Sequence, residues 1–416
     1  MAERKVIVAN YRYFVSGGPE VYLFKFMERC GDIGYAPIPF SVRYDRNKPT
    51  PYDRYFIGSR GGDSVYYHEI RRTPKAICKT LQGAFYNPET VKNLCRLIDE
   101  ERPQVLYALQ VINTLSPSIF KAAKERGLKV VHRVSDFNLV CPRSDLLSGE
   151  EPCRLCVGGD VRHAVEHRCC HGSRMATFIR CEAMKYHRRK DLYRYVDYFV
   201  TPTEFTRNIL IEGGFDANKV VKVPTFIDSA AIVPCYTHEN YLLFPGRLVP
   251  EKGAKYAVDA MRYLTRFPGL RLKITGERSE CGSEIEALLK EHDLEKAVDF
   301  VGFCRGSELE ELMRGAACIL CPAIWYENMP NTVPEAYAYG KPVIASRIGC
   351  FPELIEDGTT GLLFRPKDAR DFADKIAFLL ENEDVRLRMG RAARKKAELD
   401  FSPAVHMERL KELFER

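Results

Sequence analysis

The chain has 416 residues, of which 45% are hydrophobic and 29% charged, so its composition is that of a globular protein of two or three domains and excludes fibrous and largely disordered classes. Its formal net charge of +7 is weak for a dedicated nucleic-acid binder. The sequence predicts neither a signal peptide nor a transmembrane helix, and its 15 cysteines are an odd number, so we expect a reduced, cytoplasmic protein.

The first half of the chain alternates short β-branched runs with amphipathic stretches, which is typical of the strands and helices of a parallel sheet. The spacing predicts strands over 5–9, 105–109 and 128–134, and helices over 19–29 and 118–126.

Gly17 and Gly18 stand between the first predicted strand and the first predicted helix. Glycines at this point would let the backbone approach a phosphate closely, although a tight structural turn explains them equally well. Periodicity is lost over 224–240, which indicates a linker between domains.

The second half repeats the pattern and predicts six further strands with helices between them. These strands are expected at 241–245, 270–275, 297–301, 317–320, 342–345 and 361–364. The stretch from 384 to 416 is helical in pattern and is broken near Pro403.

We therefore predict an α/β fold of two doubly wound, Rossmann-like domains that face each other across a cleft. The first domain is expected to span 1–223, with a cysteine-rich insertion at about 141–172, and the second to span 241–400. A terminal helix in 401–416 could pack back on the first domain. Ligands of such sheets bind beyond the carboxyl ends of the strands, so the cleft is the predicted substrate site.

The segment 326–346 carries the clearest helix signals of the chain. Asn331 suits an N-cap, a proline follows in the first turn, and a glycine ends the pattern, so a helix is predicted over about 332–339. The free backbone N–H groups of Thr332 and Val333 would form an anion site.

Two carboxylates frame this helix start, Glu327 in the loop before it and Glu335 eight positions on. One could face a sugar while the other reaches a ribose at the wall of the cleft. Solvated surface acids are the simpler alternative for an isolated pair.

The segment 244–258 places Arg247 and Lys252 in a glycine-bounded loop between a predicted strand and a predicted helix. Two cations there could neutralise a diphosphate without a metal, Arg247 through its planar fork and Lys252 as a point charge.

These segments resemble the retaining, GT-B-fold glycosyltransferases of family 4, the glycogen-synthase-like group, most strongly over 241–380. The paired glutamates with seven residues between them, the GRL stretch at 246–248 and the EKG stretch at 251–253 carry the resemblance, and the segment 340–364 continues it. The resemblance implies a hexosyltransferase of GT-B architecture that moves a sugar from a nucleotide-sugar donor to a glycan or lipid-linked acceptor with retention, in polysaccharide or glycan biosynthesis. The first domain would bind the acceptor and the second the donor.

The resemblance also implies roles in the donor domain. Arg247 and Lys252 would hold the donor diphosphate with no metal required, Glu335 the ribose, and Glu327 the transferred sugar. Asn331 and the helix start after it would contact the donor. A UDP-sugar is favoured over a GDP-sugar as a family tendency.

In the acceptor domain the match is weaker. Gly17 and Gly18 resemble a glycine-rich loop that approaches the donor phosphates. Asp136 fits the carboxylate of a His-Asp pair, but Ser135 stands directly before it, so the usual histidine is missing and it is open whether His132 takes its role.

Six of the cysteines fall between positions 141 and 181, and a C-x2-C pair stands at 153–156. A structural zinc site formed by Cys141, Cys153, Cys156 and Cys169 could stabilise this insertion. Reduced, unliganded thiols and an iron-sulfur cluster are the alternatives.

Between 162 and 194 there are nine lysines or arginines against three acids, with apolar residues at helical spacing. Such a helix could lie on the anionic inner face of a membrane and bring a lipid-linked acceptor to the cleft. Alternatively, its apolar face packs on its own domain while the charges face solvent.

Other classes of function remain open on the sequence: a nucleotide-sugar 2-epimerase-like enzyme, a metal-stabilised nucleic-acid-binding protein, or a catalytically silent glycan-binding relative. The weak net charge speaks against nucleic acid as a partner.

Overall fold

The computed structural model of the protein describes residues 4–59, 74–280 and 282–416. Within these ranges the strands are β1 Arg4–Ala9, β2 Tyr35–Phe40, β3 Val42–Arg43, β4 Ile57–Gly58, β5 Val105–Ala108, β6 Lys129–Arg133, β7 Leu147–Ser148, β8 Glu151–Pro152, β9 Tyr198–Thr201, β10 Val220–Lys222, β11 Tyr241–Phe244, β12 Arg271–Ile274, β13 Val298–Phe300, β14 Ile319–Cys321, β15 Val343–Ser346 and β16 Gly361–Phe364.

The α-helices of the same ranges connect these strands. They are α1 Gly18–Arg29, α2 Pro74–Ala84, α3 Pro88–Glu101, α4 Ser118–Lys124, α5 Arg162–Glu166, α6 Arg174–Arg189, α7 Glu204–Glu212, α8 Ala254–Met261, α9 Gly282–Glu291, α10 Ser307–Gly315, α11 Thr332–Ala338, α12 Phe351–Leu354, α13 Ala369–Glu381, α14 Glu383–Asp400 and α15 Pro403–Glu415.

Two six-stranded sheets organise the chain, and every strand pair in them is parallel. The first has the order β10-β9-β6-β5-β1-β2 and the second β13-β12-β11-β14-β15-β16. The predicted α/β fold of two doubly wound, Rossmann-like domains is therefore confirmed. The strand order reverses between β1 and β5 in the first sheet and between β11 and β14 in the second. Crevices open at such points, and the loops after these strands face the cleft.

Contacts between the domains surround this cleft. The Glu353 carboxylate, on α12, accepts hydrogen bonds from the backbone N–H groups of Glu204 and Phe205 at the start of α7, and it pairs with Lys222 at 3.1 Å. A carboxylate at a helix N-terminus is stabilised by the helix dipole. On the β7–β8 hairpin, Glu151 forms an ion pair with Lys367 of the second domain.

The C-terminal helix α15 crosses back from the second domain and lies in the core of the first. Its buried residues pack with those of β1 and α1, and the Phe414 ring lies 5.6 Å from that of Tyr107 on β5. A hydrogen bond from the Ile227 N–H to the Phe401 carbonyl, at 2.8 Å, holds the chain where it turns back towards the first domain before α15. In the described ranges, no helix combines the length and the apolar character needed to span a bilayer.

We expect Leu410→Ala, on α15, to lower the free energy of unfolding by about 2 to 4 kcal/mol, because Leu410 is fully buried in the first domain's core. The matched control is Leu399→Ala on α14, where the side chain is 58% exposed. Urea denaturation followed by circular dichroism measures both. Equal losses from the two variants would show that α15 does not stabilise the first domain.

Candidate functional site

The centre of the site is an ion pair between two neighbouring loops. Strands β11 and β14 are adjacent and parallel, so the loops that follow them, 245–253 and 322–331, leave the same edge of the sheet. Lys252 Nζ lies 2.6 Å from Glu327 Oε1, and the indole Nε1 of Trp325 donates to the same oxygen at 2.8 Å. Glu327 is only 7% exposed, so the two donors fix its carboxylate in a largely dry position.

A glycine allows the two loops to approach this closely. Gly253 has a φ of +73°, and a Cβ atom added to it would lie 1.9 Å from the carbonyl oxygen of Pro322. No side chain fits there without moving the backbone. A backbone hydrogen bond also joins the two loops: the Ile324 N–H donates to the Glu251 carbonyl at 2.9 Å.

Both domains line the cleft, whose volume is about 450 Å³. Of the predicted site residues, six line it: Gly18, Asp136, Arg247, Lys252, Glu327 and Asn331. Arg247 is exposed and forms no ion pair with a described residue, whereas Lys252 is neutralised by Glu327. The wall formed by the second domain therefore carries one paired and one unpaired cation.

Asp136 follows β6 on the opposite wall. Its Oδ1 accepts the Asn138 N–H at 2.9 Å. Burial raises the pKa of Asp136 to about 6, and the positive charge of Arg180 on α6 opposes that rise only in part. The carboxyl group therefore changes its charge close to neutral pH.

His132 does not belong to the cleft. It is 3% exposed, its Nδ1 lies 3.0 Å from the Ala108 carbonyl, and its ring packs against Phe120. Burial lowers its pKa to about 4, so the ring is neutral. His132 is thus a core residue of the first sheet, while Ser135 is the neighbour that lines the cleft.

The helix predicted over 332–339 is observed as α11. Asn331 occupies the N-cap position, but its side chain makes no capping bond and instead lies 3.0 Å from where a Cβ on Gly18 would stand. The Val333 N–H donates to the Pro330 carbonyl at 3.2 Å. Of the two amides expected to form an anion site, the Val333 amide is thus engaged within the turn, and the site itself stays a prediction.

Glu335 lies beside the main cleft and does not line it. It borders a narrower pocket with Lys25 and Val21 of α1, and the two cavities share Tyr22 and Asn331 in their walls. Burial raises the pKa of Glu335 to about 7, against the charge of Lys25. Gly17 precedes α1 in an extended conformation, where an added Cβ would make only ordinary van der Waals contacts with Glu20 and Pro19.

Asn328, which the sequence analysis missed, connects the Glu327 loop to the first domain. Its side-chain oxygen accepts from the Thr206 hydroxyl at 2.6 Å, and its Nδ2 donates to the Val134 carbonyl at 3.0 Å. Trp325 was missed too. The only sequence signal for either residue is its proximity to Glu327.

The cysteine insertion brings several thiols of the first domain together. In the part of the chain that the structure describes, no three Cys, His, Asp or Glu side chains are grouped as metal ligands. Cys141 is buried in the first domain's core, and Cys156 packs in a separate small cluster with Val161 and Met184. Burial raises the pKa of Cys156 to about 12, and nearby Cys141 adds to that rise. The pKa of Cys169 is raised to about 11 in the same way.

The zinc site predicted from Cys141, Cys153, Cys156 and Cys169 stays a prediction: Cys141, Cys153 and Cys169 lie close enough to Cys156 to raise its pKa, but no three described side chains are already placed as metal ligands. The described cysteines are free thiols.

The sequence similarity of the chain to known proteins lies in its second domain. Residues 228–396 match the sequence model of the family described as Glycosyl transferases group 1. A glycogen synthase of Mycobacterium tuberculosis is 34% identical over 161 residues, which are 38% of this chain and 38% of that protein. A D-inositol 3-phosphate glycosyltransferase of Corynebacterium efficiens is 33% identical over 183 residues, which are 42% of this chain and 43% of that protein. The chain thus spans about two fifths of the length of these relatives.

The fold comparison extends over the whole chain. HepE from Anabaena, solved in complex with UDP, superimposes with a TM-score of 0.68 at 16% sequence identity, covering 99% of this chain and 100% of that one. Both sheets and the cleft between them therefore follow the GT-B arrangement. Residues 228–396 are thus similar to the glycosyl transferases group 1 family, and the chain as a whole has the GT-B fold.

Proposed function

We propose that the protein is a retaining glycosyltransferase of the family 4 type, which moves a sugar from a nucleotide-sugar donor to a glycan or lipid-linked acceptor in polysaccharide or glycan biosynthesis. The observation that carries this proposal is the Lys252–Glu327 pair beside the unpaired Arg247, at the point of the second sheet where ligands of doubly wound folds bind. The UDP in the HepE structure supports a UDP-sugar as the donor.

The donor diphosphate would bind between Arg247 and Lys252. Arg247 offers a planar fork of donors, and Lys252 a compact charge held in position by Glu327. Because the Glu327 Oε1 atom already accepts two hydrogen bonds, its Oε2 atom remains available for a hydroxyl of the transferred sugar. This arrangement requires no metal.

Glu335 would hold the ribose hydroxyls, which requires its pocket of about 10 Å³, adjoining the cleft at Asn331, to widen when the donor binds. Gly17 and Gly18 would face the phosphates from the first domain. In this assignment residues 1–223 bind the acceptor, 224–240 link the domains and 241–400 bind the donor.

Transfer with retention requires the acceptor oxygen to attack from the side on which the diphosphate departs. The bond from the anomeric carbon to the acceptor oxygen forms as the bond to the phosphate oxygen breaks, and that phosphate oxygen takes the acceptor proton. Arg247 and Lys252 would stabilise the negative charge that develops on the leaving group. Asp136, on the opposite wall, would accept a hydrogen bond from a sugar hydroxyl.

The acceptor-side domain also offers a surface for an anionic membrane, in keeping with a cytoplasmic, peripheral enzyme. The inner face of α6 is buried, whereas Met175 is 67% and Phe178 51% exposed on its outer face, near the exposed Arg174 and Arg189. Apolar side chains flanked by cations are suited to a bilayer of anionic lipid. The same helix carries Arg180, whose positive charge lowers the pKa of Asp136.

We expect Arg247→Ala and Lys252→Ala each to lower kcat by roughly 10- to 1000-fold, since each removes a fixed positive charge from the leaving group. Release of UDP from UDP-glucose in the presence of EDTA measures the rate. Quenching of Trp325, the only tryptophan of the chain, reports donor binding. Lys255→Ala is the control, because Lys255 pairs with Glu284 outside the cleft. A double variant of Arg247 and Lys252 that turns over at the wild-type rate would refute the assignment.

We expect Asp136→Asn to raise the melting temperature by roughly 1 to 3 °C at pH 7.5 and to leave it unchanged at pH 4. The folded-state pKa of about 6 lies above the ordinary value of 3.8, so stability is lost as pH rises between these values and Asp136 becomes charged. The control is Asp384→Asn, because Arg388 lowers the pKa of Asp384 and no gain is expected there. The same gain at both pH values would contradict a buried, titrating Asp136.

We expect the wild-type protein to co-sediment with phosphatidylglycerol vesicles at low salt, and a double variant of Met175→Glu and Phe178→Glu to bind several-fold less. A variant Leu399→Glu serves as control, because Leu399 is an equally exposed apolar residue on α14. Equal sedimentation of all three proteins would exclude α6 as the membrane surface.

A further inference from the structure

Arg133, the last residue of β6, is a charged residue of the cleft to which no role has yet been assigned. It is 5% exposed. Its Nη2 atom donates to the Thr225 hydroxyl at 2.6 Å, and its guanidinium carbon lies 3.8 Å from the centre of the Tyr22 ring. Its Nη1 atom is buried and has no hydrogen-bond partner. The guanidinium is thus held firmly on one side and left unsatisfied on the other.

The groups around Arg133 are all neutral. Burial raises the pKa of Tyr22 and of Tyr107, so both phenols keep their protons. His406 of α15, which lies 2.8 Å from the Tyr22 hydroxyl, has its pKa lowered to about 3 by burial and by the charge of Arg133 itself. Thr225 carries no charge.

No carboxylate within the described ranges forms an ion pair with Arg133, although two acids line the same cleft. Glu327 is paired with Lys252, and Asp136 accepts the Asn138 amide. The Arg133 guanidinium is 5% exposed and has no counter-ion, which costs folding free energy. A bound ligand that supplies the missing anion would offset this cost.

The position of Arg133 separates it from the proposed diphosphate cations. Arg247 and Lys252 belong to the donor-side domain, whereas Arg133, Tyr22 and Thr225 belong to the opposite half of the cleft, together with Asp136. An anion bound by Arg133 can therefore belong to a sugar that lies against the first domain, while Tyr22 and Thr225 also border the pocket next to the donor site, so a donor phosphate is the alternative. A planar guanidinium fork matches a carboxylate in two hydrogen bonds.

We infer that Arg133 binds the carboxylate of an acidic sugar, so that one of the two sugars joined by this enzyme is a uronic acid. The inference rests on the proposed glycosyltransferase function and deepens it. The carboxylate belongs either to the transferred sugar or to the acceptor, and the chemistry of recognition is the same in both cases.

Titration calorimetry in EDTA separates the two sources. The donor arm compares UDP-glucuronic acid with UDP-glucose, and the acceptor arm compares methyl glucuronide with methyl glucoside on protein saturated with UDP. In the wild type we expect the acidic ligand to bind at least 10-fold more tightly than its neutral counterpart in one arm. This comparison uses only the wild-type protein, so its result does not depend on whether a variant folds.

Variants then assign the preference to Arg133. We expect Arg133→Met to reduce it to within about twofold while the Kd for UDP itself stays within about threefold, and Arg133→Lys to keep part of it through its charge. The control is Arg126→Met, since Arg126 pairs with Asp99 outside the cleft.

Two results would overturn the inference while leaving the proposed function intact: equal affinity for acidic and neutral ligands in both arms, or a loss of UDP affinity in Arg133→Met, which would make Arg133 a diphosphate ligand. A wild-type protein that binds no UDP compound would overturn the proposed function and the inference together.

Discussion

The short contact between Lys252 and Glu327 depends on two backbones lying closer than most side chains permit. Because β11 and β14 are adjacent, the loops that follow them must lie close together, and Gly253 leaves the space for this approach because it has no side chain. Once Glu327 is fixed, its neighbour Asn328 reaches the first domain through three hydrogen bonds, so the geometry of the donor loop also sets the separation of the two domains. The width of the cleft is therefore determined at its centre as well as at its edges.

The cleft distributes its charges unequally. The second domain offers Arg247 without a partner and Lys252 already paired, while the first offers Arg133 in a neutral shell and a carboxyl group, Asp136, that is partly protonated near neutral pH. Such an arrangement is suited to a substrate with negative charge at two separated points. Arg133 is 5% exposed and has lost much of its hydration before the ligand arrives, which strengthens its interaction with an anion, whereas Arg247 is exposed.

Sequence periodicity was sufficient for the six strands of the second sheet, because they are short apolar runs bounded by glycine, proline or charged residues. It failed for β2, whose sequence contains Pro37 and Pro39; prolines are tolerated there because β2 is an edge strand that pairs only with β1. The family resemblance assigned Glu327 and Lys252 to one donor site, but neither it nor the sequence pattern could reveal that Arg133 lacks a charged partner. That property depends on which groups the fold brings around it from α1, β5 and α15.

The return of α15 has a consequence for how such enzymes can be rebuilt. Because its apolar face completes the core of the first domain, the two halves are not separable at the linker. A hybrid that joins this first domain to the second domain of another enzyme would also replace α15 by the terminal helix of that enzyme. The contact between His406 and Tyr22 would then be replaced as well. Exchange of donor specificity by domain grafting would therefore have to divide the chain at two places, the second one between α14 and α15.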